Sequence, residues 1–357
     1  MSTRARSARS GLTGLAEAAV SGLWALSASL RGTPEPAVRD RTRLLRVVGR
    51  QVVAHDQDVV ALTLAAADGG PLPRWFPGAH IDVRLPSGRV RQYSLCGDPG
   101  RTDSVRIAVR RIPHGGGGSV EVHEALHVGA TVSSGGPRNA FPVALPGYGS
   151  PARRLRFIAG GIGITPILPM LSLARRAGVD WSMVYTGRSR DSLPFVEEVA
   201  GLAASVEIRT DDVRGVPGAG DLLGDCADGT AVYACGPAAL LTSIRARLAG
   251  RDNVELHFER FAAAPVLDGR PFSVAVASTG QIVQVGAQET LLAALQRAGV
   301  SAPYSCQQGF CGTCRTRVLG GGVDHHDNLL TEPERDAGTM LTCVSRAPRG
   351  QRLTLDL

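Results

Sequence analysis

From about Arg43 to Val143 apolar and polar residues alternate in short runs broken by Gly and Pro turns. The pattern predicts strands near Leu44–Gln51, Val59–Ala65, Ile81–Leu85, Arg91–Leu95, Val105–Arg110 and Ala130–Ser133, with helix only at His123–His127. Evenly spaced short strands predict an antiparallel β-barrel. After Pro146-Gly147-Tyr148-Gly149 the rhythm changes. Strand patterns at Leu155–Ala159, Ser182–Tyr185, Glu207–Arg209 and Ala231–Ala234 alternate with helical ones at Thr165–Ala177, Phe195–Leu202 and Ala238–Leu248. That alternation predicts a parallel α/β sheet covered on both faces. Past Ala262–Gly269, the runs Phe272–Ala277 and Ile282–Val285 pair across Ser278-Thr279-Gly280. A helix at Glu289–Ala298 and a closing strand at Leu353–Leu357 complete a small sheet with one crossing helix.

The chain therefore divides into an extension (1–40), a barrel (41–148), an α/β domain (149–261), a linker (262–269) and a C-terminal domain (270–357). Its 357 residues suit two or three domains, and an apolar fraction of 43% suffices for ordinary cores. All 39 basic residues are arginine, which reflects compositional bias rather than chemistry. The net charge of +7 sits mainly in residues 1–50, which carry nine Arg against three acids. With aromatics at 4% and no basic patch on a folded domain, nucleic-acid binding is not expected. No 18-residue apolar span predicts a transmembrane helix. Leu12, Leu15, Ala19, Leu23, Leu26 and Leu30 recur at helical steps, interrupted by Gly14, Glu17 and Gly22. Residues 11–30 thus read either as a loosely packed extension or as a membrane-surface or partner-docking helix.

Cys306, Cys311 and Cys314 fall at C-x4-C-x2-C spacing, and Cys343 follows after 28 further residues. Two bridged irons need four thiolates, and this is the plant-type 2Fe–2S spacing. A structural zinc site would show two C-x2-C knuckles, whereas only Cys311 and Cys314 form one. A disulfide framework suits small secreted domains, not a long chain with seven cysteines. Gly309 and Gly312 let the backbone curl near a cluster and aim N–H groups at sulfur. Cys96, Cys226 and Cys235 are scattered and read as buried thiols. A cluster needs reduced thiols, so the cytoplasm is the expected compartment.

Gly160, Gly161, Gly163, Thr165 and Pro166 lie in a strand–turn–helix context. The glycines can admit a pyrophosphate to the helix N-terminus, or they can simply build a tight turn. Cys235-Gly236-Pro237 ends a later strand on the same side, where ligands of such sheets gather. Arg188 and Arg190 follow the second strand, facing a nucleotide phosphate or solvent. Gly117-Gly118-Ser119 reads as a phosphate nest or a flexible hairpin. Tyr93 alone would pass for a core aromatic.

The order of barrel, nucleotide sheet and plant-type ferredoxin resembles the phthalate dioxygenase reductase family, within the ferredoxin–NADP reductase superfamily, over residues 41–357. Arg91-Gln92-Tyr93-Ser94 resembles its R-x-Y-S flavin motif. Ile107–Arg111, with Ala108, Val109 and Arg110, is similar to the next flavin strand. The likeness implies FMN rather than FAD, its phosphate at Gly117, Gly118 and Ser119. It implies a nicotinamide site at Gly160–Pro166 and Cys235-Gly236-Pro237, with Thr165 and Cys235 near the nicotinamide. Phe261 corresponds to an aromatic near the flavin, and Cys306, Cys311, Cys314 and Cys343 to the cluster ligands. The C-terminal domain is then a β-grasp ferredoxin domain. Pro137–Phe141 resembles the segment closing the barrel, and Asp324-His325-His326-Asp327 a structural turn. Gln307 departs from the family's usual glutamate.

The resemblance implies an NAD(P)H-dependent reductase. Electrons would pass from nicotinamide through FMN and the 2Fe–2S cluster to a partner oxygenase. That partner would be a Rieske non-haem iron enzyme, a demethylase or a haem-thiolate monooxygenase. NADH is favoured by the resemblance, and Arg188 and Arg190 keep NADPH open. No residue is expected to act as a strong acid or base, because the cofactors carry the chemistry. Two other readings stand: a free-standing flavin reductase for small acceptors, and a redox-sensing iron–sulfur flavoprotein.

Overall fold

The computed structural model describes residues 42–56, 58–113, 117–202, 205–261, 266, 269–304, 307, 309, 312–327 and 329–357. The helix expected over 11–30, most of the 262–269 linker, and Cys306 and Cys311 lie outside them.

The barrel runs β1 (Arg43–Ala54), β2 (Val59–Ala66), β3 (Ala79–Arg84), β4 (Val90–Ser94), β5 (Ser104–Arg110), β6 (Thr131–Ser134) and β7 (Arg138–Asn139). The strands follow the path β4-β3-β6-β1-β2-β5, with β7 beside β3. All of these pairings are antiparallel. The ends of the path meet at an antiparallel bridge between Leu95 and Ile107. Alternation works as period-two patterning requires: Leu45, Val47, Leu62, Leu64, Ile81, Val83 and Ile107 point inward around Trp75. The helix occupies Gly118–Ala125, starting earlier than the pattern predicts. Gly117 takes a left-handed φ of 75° to start it, and the Ser119 hydroxyl accepts from the Ile112 amide at 3.0 Å. Apolar spacing carries neither signal.

Two short strands, β8 (Leu145–Pro146) and β9 (Gly149–Ser150), lead into the second sheet. It holds β10 (Arg154–Gly160), β11 (Asp180–Gly187), β12 (Val206–Thr210), β13 (Thr230–Cys235) and β14 (Val254–Glu259), in the order β12-β11-β10-β13-β14. Every pairing is parallel. β13 is buried along its whole length, as a central strand covered on both faces must be. Ile164, Ile167 and Leu171 pack with Phe157, Tyr185 and Tyr233 on one face. Leu241 and Ile244 pack with Val184 and Val232 on the other. β14 falls outside the predicted strands: its V-E-L-H-F-E alternation lacks the continuous apolar run of the inner strands. The helix expected at Phe195–Leu202 is shorter, Val196–Ala200, since Phe195 turns to a φ of 58°.

The third sheet is a β-grasp of β15 (Phe272–Val276), β16 (Ile282–Val285), β17 (Arg315–Gly320), β18 (Thr339–Leu341) and β19 (Arg352–Leu355), in the order β16-β15-β19-β17-β18. Its crossing helix, Leu291–Arg297, is capped by Thr290, whose hydroxyl accepts from the Ala293 amide at 3.1 Å. β17 and β18 also fall outside the predicted strands. β17 sets exposed Arg315 and Arg317 around buried Thr316, and β18 has three residues. Residues Thr42–Leu357 form one compact unit.

Candidate functional site

All three sheets meet at one cleft of about 340 Å³. From the barrel come Arg91, Tyr93 and Ser94 of β4, Ala108, Val109 and Arg110 of β5, and Ser119. The second sheet and its glycine loop and helix contribute Ile162, Thr165, Glu259 and, just past β14, Arg260 and Phe261; the loop leading from the crossing helix toward β17 contributes Tyr304 and Gln307. Past the Leu95–Ile107 bridge, β5 ladders only with β2. Its far edge then turns to the cleft, which suits hydrogen bonding to a planar ring. Tyr93 packs against the barrel core from that side; burial pushes its phenol up, with the Arg91 charge opposing.

The Arg91 guanidinium donates to the Val90 carbonyl at 2.9 Å and to the Tyr304 hydroxyl at 3.0 Å. Its side chain lies over Gly118, where a Cβ would sit 2.5 Å from the Arg91 Nε. Gly118 opens the helix Gly118–Ala125, so the Gly117-Gly118-Ser119 segment is a helix N-terminus, whose first backbone N–H groups have no partner within the helix. Together with Arg91 this is a cradle fit for a phosphate.

The glycine loop forms a 3-10 turn over Gly161–Gly163 and runs into the helix Ile164–Ala177. It faces the Cys235-Gly236-Pro237 turn across neighbouring strands β10 and β13, where the strand order reverses direction. Such a switch point is where open α/β sheets take ligands. The glycines have different reasons. A Cβ on Gly163 would lie 2.2 Å from the Cys235 carbonyl oxygen, and one on Gly160 2.7 Å from the Pro237 ring. These two glycines let one loop press on the other. Gly161, at a φ of 54° with nothing within 4 Å of its Cβ position, is the one facing open space. Pro166 sits in the first helical turn, and Thr165 donates its hydroxyl to the Ile162 carbonyl at 3.0 Å.

Cys235 is fully buried, and burial raises its thiol well above the ordinary range, so it stays protonated. Its ladder partner on β14 is Glu259. Glu259 is 7% exposed, and among the described residues its Oε2 has no hydrogen-bond partner. Burial pushes its carboxyl up to about 8, against a hydrogen bond from Ser94 that lowers it. A neutral carboxyl at the cleft wall can donate a proton or a hydrogen bond. Glu259 was missed in the sequence because β14 was missed; the signal available was an acid ending an alternating strand just before Phe261. Tyr304 was missed too, as the residues before a cysteine loop carry no motif of their own. Phe261 is half-exposed at the cleft. Arg188 lies outside the cleft lining but near enough for its charge to lower the Arg110 guanidinium, after burial. Arg190 pairs with Glu197 at 2.8 Å.

In the third sheet, Cys314 and Cys343 are buried with Sγ atoms 3.2 Å apart, too far for a disulfide. Two thiols converging in a buried spot fit metal ligation, while Cys306 and Cys311 lie outside the described residues. Gly309 and Gly312, at φ of 82° and 75°, press on Val344 and Leu329. Asp324 bridges Arg346 antiparallel, and Asp327 accepts from the Leu329 and Leu330 amides at 3.2 and 2.8 Å, so both acids of the Asp324–Asp327 segment have structural partners.

The three sheets and their shared cleft define an oxidoreductase that joins a flavin barrel, a pyridine-nucleotide sheet and an iron–sulfur domain. A family model described as a 2Fe-2S iron-sulfur cluster binding domain matches residues 274–348. The vanillate O-demethylase oxidoreductase of a Pseudomonas species is 41% identical over 84% of this chain and 96% of its own length. The solved phthalate dioxygenase reductase matches with a TM-score of 0.64 at 31% identity, covering 89% of this chain and 98% of that one. An intact type IV self-sufficient cytochrome P450 monooxygenase matches with a TM-score of 0.66 at 39% identity. There 90% of this chain is covered but only 43% of the P450, so the chain spans less than half of that protein. The chain belongs to the phthalate dioxygenase reductase family. It is an electron-transfer oxidoreductase of the kind that serves a partner oxygenase, with a 2Fe–2S domain and flavin and pyridine-nucleotide domains. Among the described residues, no helix is long and apolar enough to cross a membrane.

Proposed function

We propose that the chain uses NADH, holds FMN in the shared cleft and delivers single electrons to a terminal oxygenase. The observation that carries this reading is the convergence of all three sheets on one cleft. When bound, the flavin and the cluster supply the conversion of a two-electron donor into single electrons. The chain's residues bind, orient and exclude water. Arg91 and the Gly117–Ser119 helix start would hold the FMN phosphate, and Tyr93 and Ser94 would flank the ring. Thr165, with Cys235 behind it, would position the nicotinamide. Glu259, neutral at pH 7, holds a proton at the cleft wall. Cys306, Cys311, Cys314 and Cys343 would ligate the cluster. We place the domain limits at 41–148, 149–261 and 270–357, which keeps every named strand of the three sheets whole.

NADH is favoured over NADPH by the family likeness; Arg190 makes an exposed pair with Glu197, and both Arg188 and Arg190 remain candidates for a 2′-phosphate, which the titration below tests. For the partner, the two activities named above, an aromatic demethylase and a P450 monooxygenase, favour a metal-centred oxygenase over a small free acceptor. Plant-type clusters lie near about −400 mV, so such an acceptor is downhill. The test is anaerobic titration with NADH and, separately, NADPH. Flavin bleaching followed by loss of the cluster's visible absorbance is expected, at lower NADH than NADPH. In Cys343→Ser the flavin should still bleach and the cluster signal should be absent. Flavin bleaching in the parent protein with no response from the cluster would refute the relay.

A further inference from the structure

Arg91 and Tyr304 stand 213 residues apart in sequence, yet their side chains share a hydrogen bond of 3.0 Å. Arg91 lies on β4 of the barrel, and Tyr304 lies in the loop between the Leu291–Arg297 helix and β17 of the third sheet. The Tyr304 ring packs against the core of the β-grasp sheet, while its hydroxyl reaches into the cleft. The ring is thus held by the iron–sulfur domain and the hydroxyl by the barrel. Arg91 is fixed from its own side by the Val90 carbonyl and by Gly118, which leaves no room for even a methyl group beneath the guanidinium. Tyr304 stands two residues before Cys306, and Gln307, just after that cysteine, lines the same cleft. Arginine offers only donors, so a phenol oxygen is a fitting acceptor. Bonds to a charged donor are also among the stronger ones.

We propose that Tyr304 is a positioning residue. Its hydroxyl latches the segment leading into the cysteine loop onto Arg91 of the flavin motif, and so sets the separation of the two redox sites. Electron transfer between fixed centres falls steeply with distance, so a loosened latch slows that transfer and leaves the hydride step intact. The inference rests on the FMN and 2Fe–2S reading above.

The decisive variant is Tyr304→Phe, which keeps the ring and removes the hydroxyl. Rapid-scan anaerobic reduction by NADH would follow the flavin and cluster bands separately. Amide hydrogen exchange over residues 299–304 would be measured on protein stripped of flavin. Flavin bleaching should stay within about twofold of the parent. Cluster reduction should slow about tenfold or more, and exchange should quicken by about tenfold, the loss of one hydrogen bond to a charged group. In an Arg91→Gln background saturated with FMN, Tyr304→Phe should add no further slowing. Unchanged cluster reduction with unchanged exchange would overturn the latch, as would equal slowing in both backgrounds. Should the parent's cluster never respond to NADH, the cofactor reading fails instead. The exchange arm, run without flavin, still decides the latch.

Discussion

The Glu259 carboxyl offers the sharpest energetic test. Burial moves it from an ordinary value near 4.5 up to about 8. The native state then keeps this proton up to about pH 8, while the unfolded chain releases it near pH 4.5. Between those limits the native state binds more protons, so stability falls as pH rises. The stabilisation is complete below about pH 4.5 and is lost through about pH 8. At 1.36 kcal/mol per pKa unit the full swing is about 5 kcal/mol. Glu259→Gln keeps the shape and cannot ionise, so it should abolish the swing. Trp75 lies in the barrel core and Trp181 in the core of the parallel sheet, and Glu259 lines the cleft where the two sheets meet. Urea unfolding of flavin-free protein, followed by tryptophan fluorescence at pH 5 and pH 9, reads both. At pH 5 variant and parent should agree within about 1 kcal/mol. At pH 9 the variant should be the more stable by about 3–5 kcal/mol. A gap that moves by less than about 1 kcal/mol between the two pH values would show that the carboxyl is solvated or paired, and the argument from burial would fall.

Two glycines separate steric from conformational roles. Gly118→Ala should change stability by no more than about 1 kcal/mol, since alanine's preference for helix offsets the loss of the displaced Arg91–Tyr304 bond. It should also push the Arg91 side chain aside and weaken FMN binding about tenfold, measured by flavin fluorescence on apoprotein. An unaltered FMN affinity would remove Arg91 from the phosphate cradle. Gly163→Ala meets backbone atoms of Cys235 rather than a movable side chain. It should therefore cost about 1–3 kcal/mol in urea unfolding and weaken NADH binding; a variant as stable as the parent would mean that the two loops part easily.

Features set by local spacing were legible in the sequence. The cysteine intervals, the glycine loop and the apolar runs of β2, β10 and β13 are each written within a few consecutive residues. Features set by long-range approach were not. Glu259 matters because β14 brings it into the cleft that Ser94 and Thr165 also line, and nothing near residue 259 encodes that meeting. Tyr304 matters through Arg91, and the glycine loop hid a division of labour. Gly160 and Gly163 serve loop-to-loop packing, whereas the Cβ position of Gly161 faces open space. A glycine motif therefore says that something comes close, without saying whether it is a pyrophosphate or another stretch of the same chain. The distinction bears on coenzyme choice. Substitutions at Gly160 or Gly163 will report on packing before they report on recognition. Gly161 would be strained by any side chain, because its φ is 54°, so the Arg188 side chain after β11 is the better position at which to test the proposed nucleotide preference.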